Sequence, residues 1–248
     1  MAKLKNVLLT GANGFIATHI ARLLLAKEDV AVFALVRAKD VSAAKAKLER
    51  EWWDYPELIT AMGTRIHAVA GDVCQPNLGL TPTEYSELVG KVTHIIHTAA
   101  DWRLLPIEEL RKTNVQGTAN IIEFAKQAPH LERLSHISTA YVAGGATGTV
   151  SEEQLTDQNG FFTNYEQSKY EAELLVREYR SLVRIAIYRP SIVVGRPDGV
   201  HRGRCRHGEP GGPGSGHTRR PVALHHLPHQ HRGVLRPRSA VRGPAVQR

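Results

Sequence analysis

Apolar runs alternate with amphipathic stretches over the first 200 residues of the chain. The runs at 6–10 and 30–36 are almost continuously apolar, which is typical of strands buried on both faces of a sheet. Apolar residues recur at helical spacing between such runs. This order predicts an α/β fold, a Rossmann-type doubly wound parallel sheet whose ligands bind at the carboxyl ends of its strands. The predicted strands are 6–10, 30–36, 65–71, 94–99, 133–138 and 184–190, and the main predicted helices are 15–27, 40–53, 107–127 and 164–180.

The periodic pattern stops near residue 200, and the charge balance changes there. Residues 201–248 contain 10 Arg, no Lys and one acid, Glu209, whereas residues 1–200 carry 22 basic and 23 acidic side chains, a net charge of −1. Residues 200–248 are therefore predicted to be a disordered, basic, low-complexity tail. The net charge of +8 lies in this tail, so it does not predict a nucleic-acid partner for the body of the chain.

Three hypotheses account for this tail. Arg, Gly, Pro, Ala and His have GC-rich codons, so the segment resembles a frame-shifted translation of a GC-rich gene. A genuine disordered arm that binds nucleic acid or an acidic partner is the second hypothesis. The third is a metal site at "HHLPHQH" (225–231), although its histidines lack the spacing of a known zinc motif.

The chain shows no sign of membrane insertion or secretion. It has no run of about 18 apolar residues, and the segment after Met1 is a predicted strand instead of a signal peptide. Its two cysteines, Cys74 and Cys205, do not suggest a disulfide framework. These observations predict a cytoplasmic location.

The segment "TGANGFIA" (10–17) joins the first strand to the first helix. Gly11 permits a tight turn, and Gly14 allows the backbone to approach a pyrophosphate. Ala17 is small enough for close packing of helix against strand. The helix N-terminus then presents N–H groups to the phosphates, so the segment predicts a dinucleotide site. The alternative is an ordinary strand–helix turn.

The residues after the second and third predicted strands bear on the choice of cofactor. Arg37 follows the second strand, where an NAD site would place an acid, and a guanidinium pairs well with a 2′-phosphate. NADP(H) is therefore favoured over NAD(H), although a solvated surface arginine is the alternative. Asp72 is placed to accept a hydrogen bond from an adenine amino group, or to cap a helix.

A reactive group is predicted from Tyr165 and Lys169, which lie four residues apart on one face of a helix. A neighbouring ammonium stabilises a phenolate, so Lys169 is expected to lower the pKa of Tyr165. Ser138 and Thr139 follow the fifth strand and supply a hydroxyl to hold the substrate oxygen. No metal site is predicted: His94, His97 and His136 are expected to be packed or hydrogen-bonded, and Cys74 has no paired histidine motif.

Taken together in this order, the segments resemble the extended short-chain dehydrogenase/reductase family over about residues 5–199. The segments that carry the resemblance are "TGANGFIA", "HTAA" (97–100), "NVQGT" (114–118), "STAYV", "YEQSK" and "YRPSIVVG" (188–195). The resemblance implies an NAD(P)-binding Rossmann domain at 1–199. It also implies a catalytic triad of Thr139, Tyr165 and Lys169, with Ser138 structural. In the family, further elements after the sixth strand build a substrate lobe. Because the resemblance stops near residue 199, that lobe is expected to be missing from this chain.

Within that family, "GDVCQPNLGL" (71–80), "IIHTAADW" and "LRKTNVQGT" are similar to the thioester-reductase and fatty acyl-CoA reductase branch, the male-sterility-like proteins. This resemblance implies an NADPH-dependent reductase of an acyl thioester, carried on CoA or a carrier protein, to an aldehyde or alcohol. A nucleotide-sugar epimerase or dehydratase and an inactive cofactor-binding fragment are the alternatives. The implied cofactor-binding residues are Gly11, Asn13, Gly14, Phe15, Ile16, Arg37, Asp72, Val73, Ala99, Ala100, Asn114, Tyr165 and Lys169.

Overall fold

The computed structural model describes residues 4–195. The described chain forms one six-stranded sheet in the order β3–β2–β1–β4–β5–β6, with every pair of neighbours parallel. This is the doubly wound α/β fold expected from the sequence. The strands are β1 (Lys5–Thr10), β2 (Val30–Val36), β3 (Ile66–Ala70), β4 (His94–His97), β5 (Arg133–Ile137) and β6 (Ile185–Tyr188).

Helices connect the strands and cover both faces of the sheet. The run at 107–127 is continuous but contains a five-residue π-helical turn between two α-helices, a feature that is frequent at functional sites. The helices are α1 (Phe15–Leu25), α2 (Val41–Glu51), α3 (Pro56–Thr60), α4 (Pro82–Lys91), α5 (Ile107–Arg111), α6 (Gly117–Gln127) and α7 (Asn164–Glu178).

Alternate residues of β1 enter two separate apolar cores. Val7 and Leu9 pack on the side covered by α1, α2 and α3, together with the fully buried Trp52. Leu8 packs on the opposite side, where Phe124 of α6 is also fully buried. Successive side chains of a strand point to opposite faces, so a continuous apolar run fills both cores.

β1 and β2 end where the sequence pattern predicts, but the later strands end earlier. β4 ends at His97 instead of residue 99, and β5 ends at Ile137 instead of residue 138. The residues that follow leave the sheet because they turn into the cleft above its carboxyl edge. In β6 the difference is larger, since the predicted strand 184–190 is reduced to Ile185–Tyr188.

The connections place a crevice between β1 and β4. The chain leaves β1 toward β2 on one side, whereas β4, its other neighbour, continues toward β5 and β6. In such sheets the crevice at this reversal is the usual place for a ligand. Within residues 4–195, no helix is long and apolar enough to cross a membrane.

Of the two units into which the chain divides, the first is residues 1–198. The predictions made for the second, residues 199–248, concern its disorder, its basic arm, the possible metal site and the missing substrate lobe. All of them lie outside the described residues.

Candidate functional site

A cleft of about 610 Å³ lies above the carboxyl ends of β1, β2, β4 and β5. It brings together the predicted glycine loop, Arg37, the segment after β4 and the proposed triad. The predicted residues that line it are Gly11, Asn13, Gly14, Phe15, Ile16, Arg37, Asp72, Val73, Ala99, Ala100, Thr139, Tyr165 and Lys169.

The glycine loop is shaped for close approach of a ligand. Gly11 has φ +62°, and a Cβ placed on it would lie 2.9 Å from the Cα of Ala99. A Cβ on Gly14 would lie 3.1 Å from the carbonyl oxygen of Gly11. Among the described residues, no side chain caps the N-terminus of α1. The loop therefore leaves helix N–H groups at the cleft and fits the pyrophosphate of a dinucleotide.

The segment after β3 forms a tight loop that holds Asp72 at the cleft. A Cβ on Gly71 would lie only 2.6 Å from the carbonyl oxygen of Leu78, which itself accepts a hydrogen bond of 2.7 Å from the Asp72 amide. Leu78 has φ +59° and its side chain is fully buried. The "LGL" segment thus folds back over Gly71. Asp72 Oδ1 accepts from the Cys74 amide at 2.9 Å, so this carboxylate stabilises the loop instead of capping a helix.

Arg37 is exposed at the end of β2 and lines the cleft together with Lys47 of α2. Lys47 Nζ donates to the Arg37 carbonyl at 3.2 Å. Asp40, the first acid after β2, accepts from the Ala43 amide at 2.7 Å and caps α2. Two basic side chains therefore stand where a ribose-binding acid would otherwise lie. Sequence reasoning missed Lys47 because a lysine in the middle of a surface helix carries no signal of its own.

Asn114 is the one predicted cofactor-binding residue that does not line the cleft. It is buried in the π-helical turn, and its Oδ1 accepts from the Asp101 amide at 2.7 Å. Its Nδ2 donates to the Asp101 carbonyl and to Ser168 Oγ, both at 2.8 Å. Asn114 therefore lies one layer behind the cleft and positions the segment after β4.

The proposed triad lies where β5 ends and α7 begins. Thr139 and Tyr165 both line the cleft. The neighbouring Ser138 instead donates its hydroxyl to Glu173 at 2.7 Å, which agrees with the structural role expected for it. Thr139 also donates to the Pro190 carbonyl at 3.4 Å. The hydroxyl that faces the cleft beside Tyr165 is therefore that of Thr139.

Lys169 is almost completely buried, and its Nζ donates to the Ile137 carbonyl at 2.9 Å. Burial lowers its pKa to about 8, although the charge of Glu173 acts in the opposite direction. Burial raises the pKa of Tyr165, and the Thr139 side chain acts in the opposite direction. The sequence analysis expected a lowered pKa for Tyr165, so that prediction was wrong. The loss of water around the phenol dominates, and the lysine ammonium is directed to a backbone carbonyl.

Two histidines lie buried beneath the cleft. The rings of His97 and His136 are 5.5 Å apart. His97 contacts the hydroxyls of Thr10 and Thr118 at 2.8 and 3.1 Å. Burial, together with the charge of Lys169, lowers the pKa of His97 to about 3. No group of three or more metal-ligating side chains lies close enough to hold a metal within residues 4–195.

Comparison with known proteins gives the family. The model of the family described as male sterility protein matches residues 9–212, beyond the position near 199 where the motif resemblance ends. The chain belongs to this family. Members of this family are extended short-chain dehydrogenase/reductases.

The solved structures and curated relatives that match are larger proteins. The chain is 33% identical over 212 residues to N-benzoylphenylalaninol synthetase apmA of Penicillium brevicompactum, which covers 78% of this chain and 9% of that protein. The terminal R domain of the myxalamid PKS-NRPS pathway superposes with a TM-score of 0.71 at 32% identity, over 79% of this chain and 51% of that one. The chain therefore spans about half of the solved domain.

An epimerase also shares this fold. UDP-glucuronic acid 4-epimerase of Bacillus cereus superposes with a TM-score of 0.60 at 24% identity, over 78% of this chain and 60% of that one. At this identity the likeness shows the fold alone. The similarity to the R domain, at 32% identity, extends to the sequence as well as the fold.

Proposed function

We propose that this chain is the cofactor-binding and catalytic part of an NADPH-dependent reductase that converts a carrier-bound or CoA-bound acyl thioester to an aldehyde or alcohol. One observation carries the proposal: a single cleft contains both the glycine loop and the Thr139–Tyr165–Lys169 group. The R domain of a PKS-NRPS pathway and a synthetase named for an alcohol are its relatives, which supports a carrier-bound thioester as the substrate class.

The preference for NADPH over NADH rests on the end of β2. Arg37 and Lys47 line the cleft there, and the carboxylate of Asp40 is occupied in capping α2. A guanidinium and an ammonium favour a 2′-phosphate over free ribose hydroxyls. The glycine loop would hold the pyrophosphate, and Asp72 and Val73, which line the cleft, would contact the adenine.

When bound, the reduced nicotinamide would supply a hydride for the carbonyl carbon. The oxyanion that forms on the substrate then re-forms the carbonyl, which breaks the carbon–sulfur bond and releases a thiolate that takes a proton from water. Thr139 and Tyr165 hold the carbonyl oxygen through their hydroxyls and stabilise its developing negative charge. Because burial raises the pKa of Tyr165, its phenol is protonated at neutral pH and is able to donate a proton where an alcohol forms. Lys169 is positively charged below about pH 8 and adds to the stabilisation.

The test is NADPH oxidation by the full chain with an acyl-CoA and with the same acyl group on a carrier protein, with aldehyde and alcohol measured as products. The Tyr165→Phe variant is expected to lose on the order of 10²-fold or more in rate, since the phenol is the proposed acid. Tyr170→Phe is the matched control on the same helix, because Tyr170 packs against Phe161 outside the cleft.

Other outcomes would contradict the proposal. Equal rates for the wild-type chain and Tyr165→Phe would exclude the assigned acid. NADPH binding without reduction of any thioester or aldehyde would identify an inactive cofactor-binding fragment. Interconversion of a nucleotide sugar would identify an epimerase on the same fold.

Two further parts of the proposal concern the whole chain. We propose a cofactor domain that ends near residue 199, supported by the division of the chain after residue 198. We also propose a cytoplasmic location, supported by the free thiol of Cys74.

A further inference from the structure

Glu173 is a fully buried carboxylate beside the proposed triad but outside the cleft. It lies on α7 four residues after Lys169, which itself lies four residues after Tyr165. This spacing places all three side chains on one face of the helix, the face that meets the ends of β5 and β6. A buried carboxylate is costly without partners, so its contacts indicate what it does.

Three side chains from different parts of the fold donate to this carboxylate. Ser138, directly after β5, donates to Oε2 at 2.7 Å. Arg189, directly after β6, forms a fork with distances of 3.0 Å to Oε2 and 2.6 Å to Oε1. Arg177, one turn further along α7, donates to Oε1 at 3.0 Å. We call this group the Glu173 cluster.

The Glu173 cluster connects to the site through immediate chain neighbours. Ser138 precedes Thr139, and Arg189 precedes Pro190. The Pro190 carbonyl in turn accepts from the Thr139 hydroxyl at 3.4 Å and from the Ala140 amide at 2.9 Å. Any shift of Arg189 or Ser138 relative to α7 would therefore move Thr139 relative to Lys169.

The same arginines hold a loop against α7. Arg189 donates to the Gln154 carbonyl at 3.1 Å, and Arg177 donates to the carbonyls of Glu152 and Glu153 at 3.1 and 2.8 Å. Two guanidinium groups share one carboxylate, and each also donates to backbone carbonyls of the loop. Because burial of charged groups offsets much of their attraction, such a cluster is weak evidence for added stability, and a role in geometry is the alternative.

We propose that Glu173 is a positioning residue, which fastens the ends of β5 and β6 to α7 and thereby fixes Thr139 and Lys169 relative to each other in the cleft. This inference rests on the proposed function, because it assigns the geometry of that reaction's triad.

The electrostatic surroundings of Lys169 are consistent with this role. The ionisable groups that face it are His97 on β4, His136 on β5, and Tyr165 and Glu173 on α7. Burial, and then the charge of Lys169, keeps the pKa of both histidines well below its ordinary value, so they are neutral at neutral pH. Glu173 is negatively charged, and its charge raises the pKa of Lys169 against the effect of burial.

The experiment compares Glu173→Gln with Glu171→Gln in the full chain. Glu171 lies on the same helix and pairs with Arg111 at 2.6 Å, so the control removes an ion-paired carboxylate from α7 without touching the cluster. Gln keeps the shape of Glu173 but presents an NH₂ group to donors. The titration of Lys169 is followed by NMR of chains with ¹³C-labelled lysine, and its signal is assigned with Lys169→Arg. The rate of thioester reduction is measured in parallel.

Glu173→Gln is expected to move the Lys169 titration to lower pH by about half a pH unit or more, because a negative charge near an ammonium is removed. The value of kcat is expected to fall on the order of tenfold or more, with a smaller change in the KM for NADPH, because misplaced groups slow the chemical step. Glu171→Gln is expected to change neither quantity. An unchanged Lys169 titration and an unchanged kcat in folded Glu173→Gln would overturn the inference.

Two milder variants decide the matter if Glu173→Gln does not fold. Ser138→Ala removes one hydrogen bond, and Arg189→Lys keeps the charge but loses the fork. Each variant is expected to show a cooperative thermal unfolding transition, as a folded protein does, and to have a lower kcat than the wild-type chain. A wild-type kcat in both variants would overturn the inference. A shifted Lys169 titration in a chain that reduces no thioester would support the positioning role and contradict the proposed function. The experiment therefore distinguishes failure of the positioning inference from failure of the proposed function.

Discussion

The sheet has two halves that differ in how completely the described residues cover them. β2, which lies between β1 and β3, has six of its seven residues buried. β6 lies at the end of the described sheet, has no fully buried residue, and leaves Tyr188 47% exposed. Two apolar residues further along the chain are more exposed still, Ile192 at 72% and Val194 at 77%.

The two halves of the sheet also hold different parts of the cleft. The half around β1 and β2 holds the glycine loop and Arg37, and both of its faces are packed within the described residues. The half around β5 and β6 holds the triad. Leu134 of β5 is buried in an apolar core, and Ile185 of β6 packs against that core. At the carboxyl ends of these two strands, the Glu173 cluster adds buried hydrogen bonds and ion pairs. The first half therefore depends on apolar packing, whereas the second combines apolar packing with this polar cluster.

The largest expected effect tests the difference in packing directly. Leu9→Ala in β1 should lower the free energy of unfolding by about 2–5 kcal/mol, because it removes a fully buried side chain and leaves a cavity. Ile192→Ala should change it by no more than about 0.5 kcal/mol, since that side chain is mostly exposed. Urea unfolding of both variants measures the contrast. Similar losses in both would show that Ile192 is covered in solution.

A smaller effect is expected from Gly11→Ala in the glycine loop. The new Cβ would lie 2.9 Å from the Cα of Ala99, on a backbone with φ +62°, so a destabilisation of about 1–3 kcal/mol is expected. NADPH affinity should fall with it, because the loop must move. Gly63→Ala is the control: Gly63 has φ +85°, but open space surrounds its Cβ position. Gly63→Ala therefore introduces the strain of a positive φ without the clash. Unchanged NADPH affinity in Gly11→Ala would contradict the proposal that the glycine loop binds the pyrophosphate.

The smallest effect concerns the choice of cofactor. Arg37→Met should weaken NADPH binding by about tenfold while leaving NADH binding nearly unchanged, because one charge-assisted contact to the 2′-phosphate is lost. Titration of the fluorescence of each cofactor measures the two affinities. Arg133→Met is the control, since Arg133 is exposed at the start of β5, at the opposite edge of the sheet. Equal weakening of both cofactors would refute the assigned specificity.

Much of the half around β1 and β2 could be predicted from the sequence, because the residues that indicate its features are neighbours in the chain. The spacing of Gly11 and Gly14 between an apolar strand and an amphipathic helix already indicates the loop, and Arg37 is read from its place after β2. The roles of Asn114 and Lys47 were not predictable in this way. Asn114 contacts Asp101 and Ser168, and the second of these is 54 positions away.

The proposed triad, too, was predictable from the sequence only in part. The spacing of Tyr165 and Lys169 places them on one face of a helix, and this was evident from the sequence. The direction of the pKa of Tyr165 was wrong in the sequence analysis, because it depends on burial and on where Lys169 points. The Glu173 cluster was also missed, since a glutamate and two arginines in amphipathic segments resemble a solvated surface until the fold buries them.

The sequence by itself determined the α/β class, the order of strands and helices and the position of the phosphate loop, whereas the triad was implied by the family resemblance. These depend on hydrophobic periodicity and on conformational needs of neighbouring residues, which are local properties of the chain. Only the tertiary structure decided which side chains meet across the cleft, which hydroxyl faces Tyr165, and which charges are buried. Those outcomes depend on contacts between distant segments and on the exclusion of water, and both arise only when the sheet is assembled.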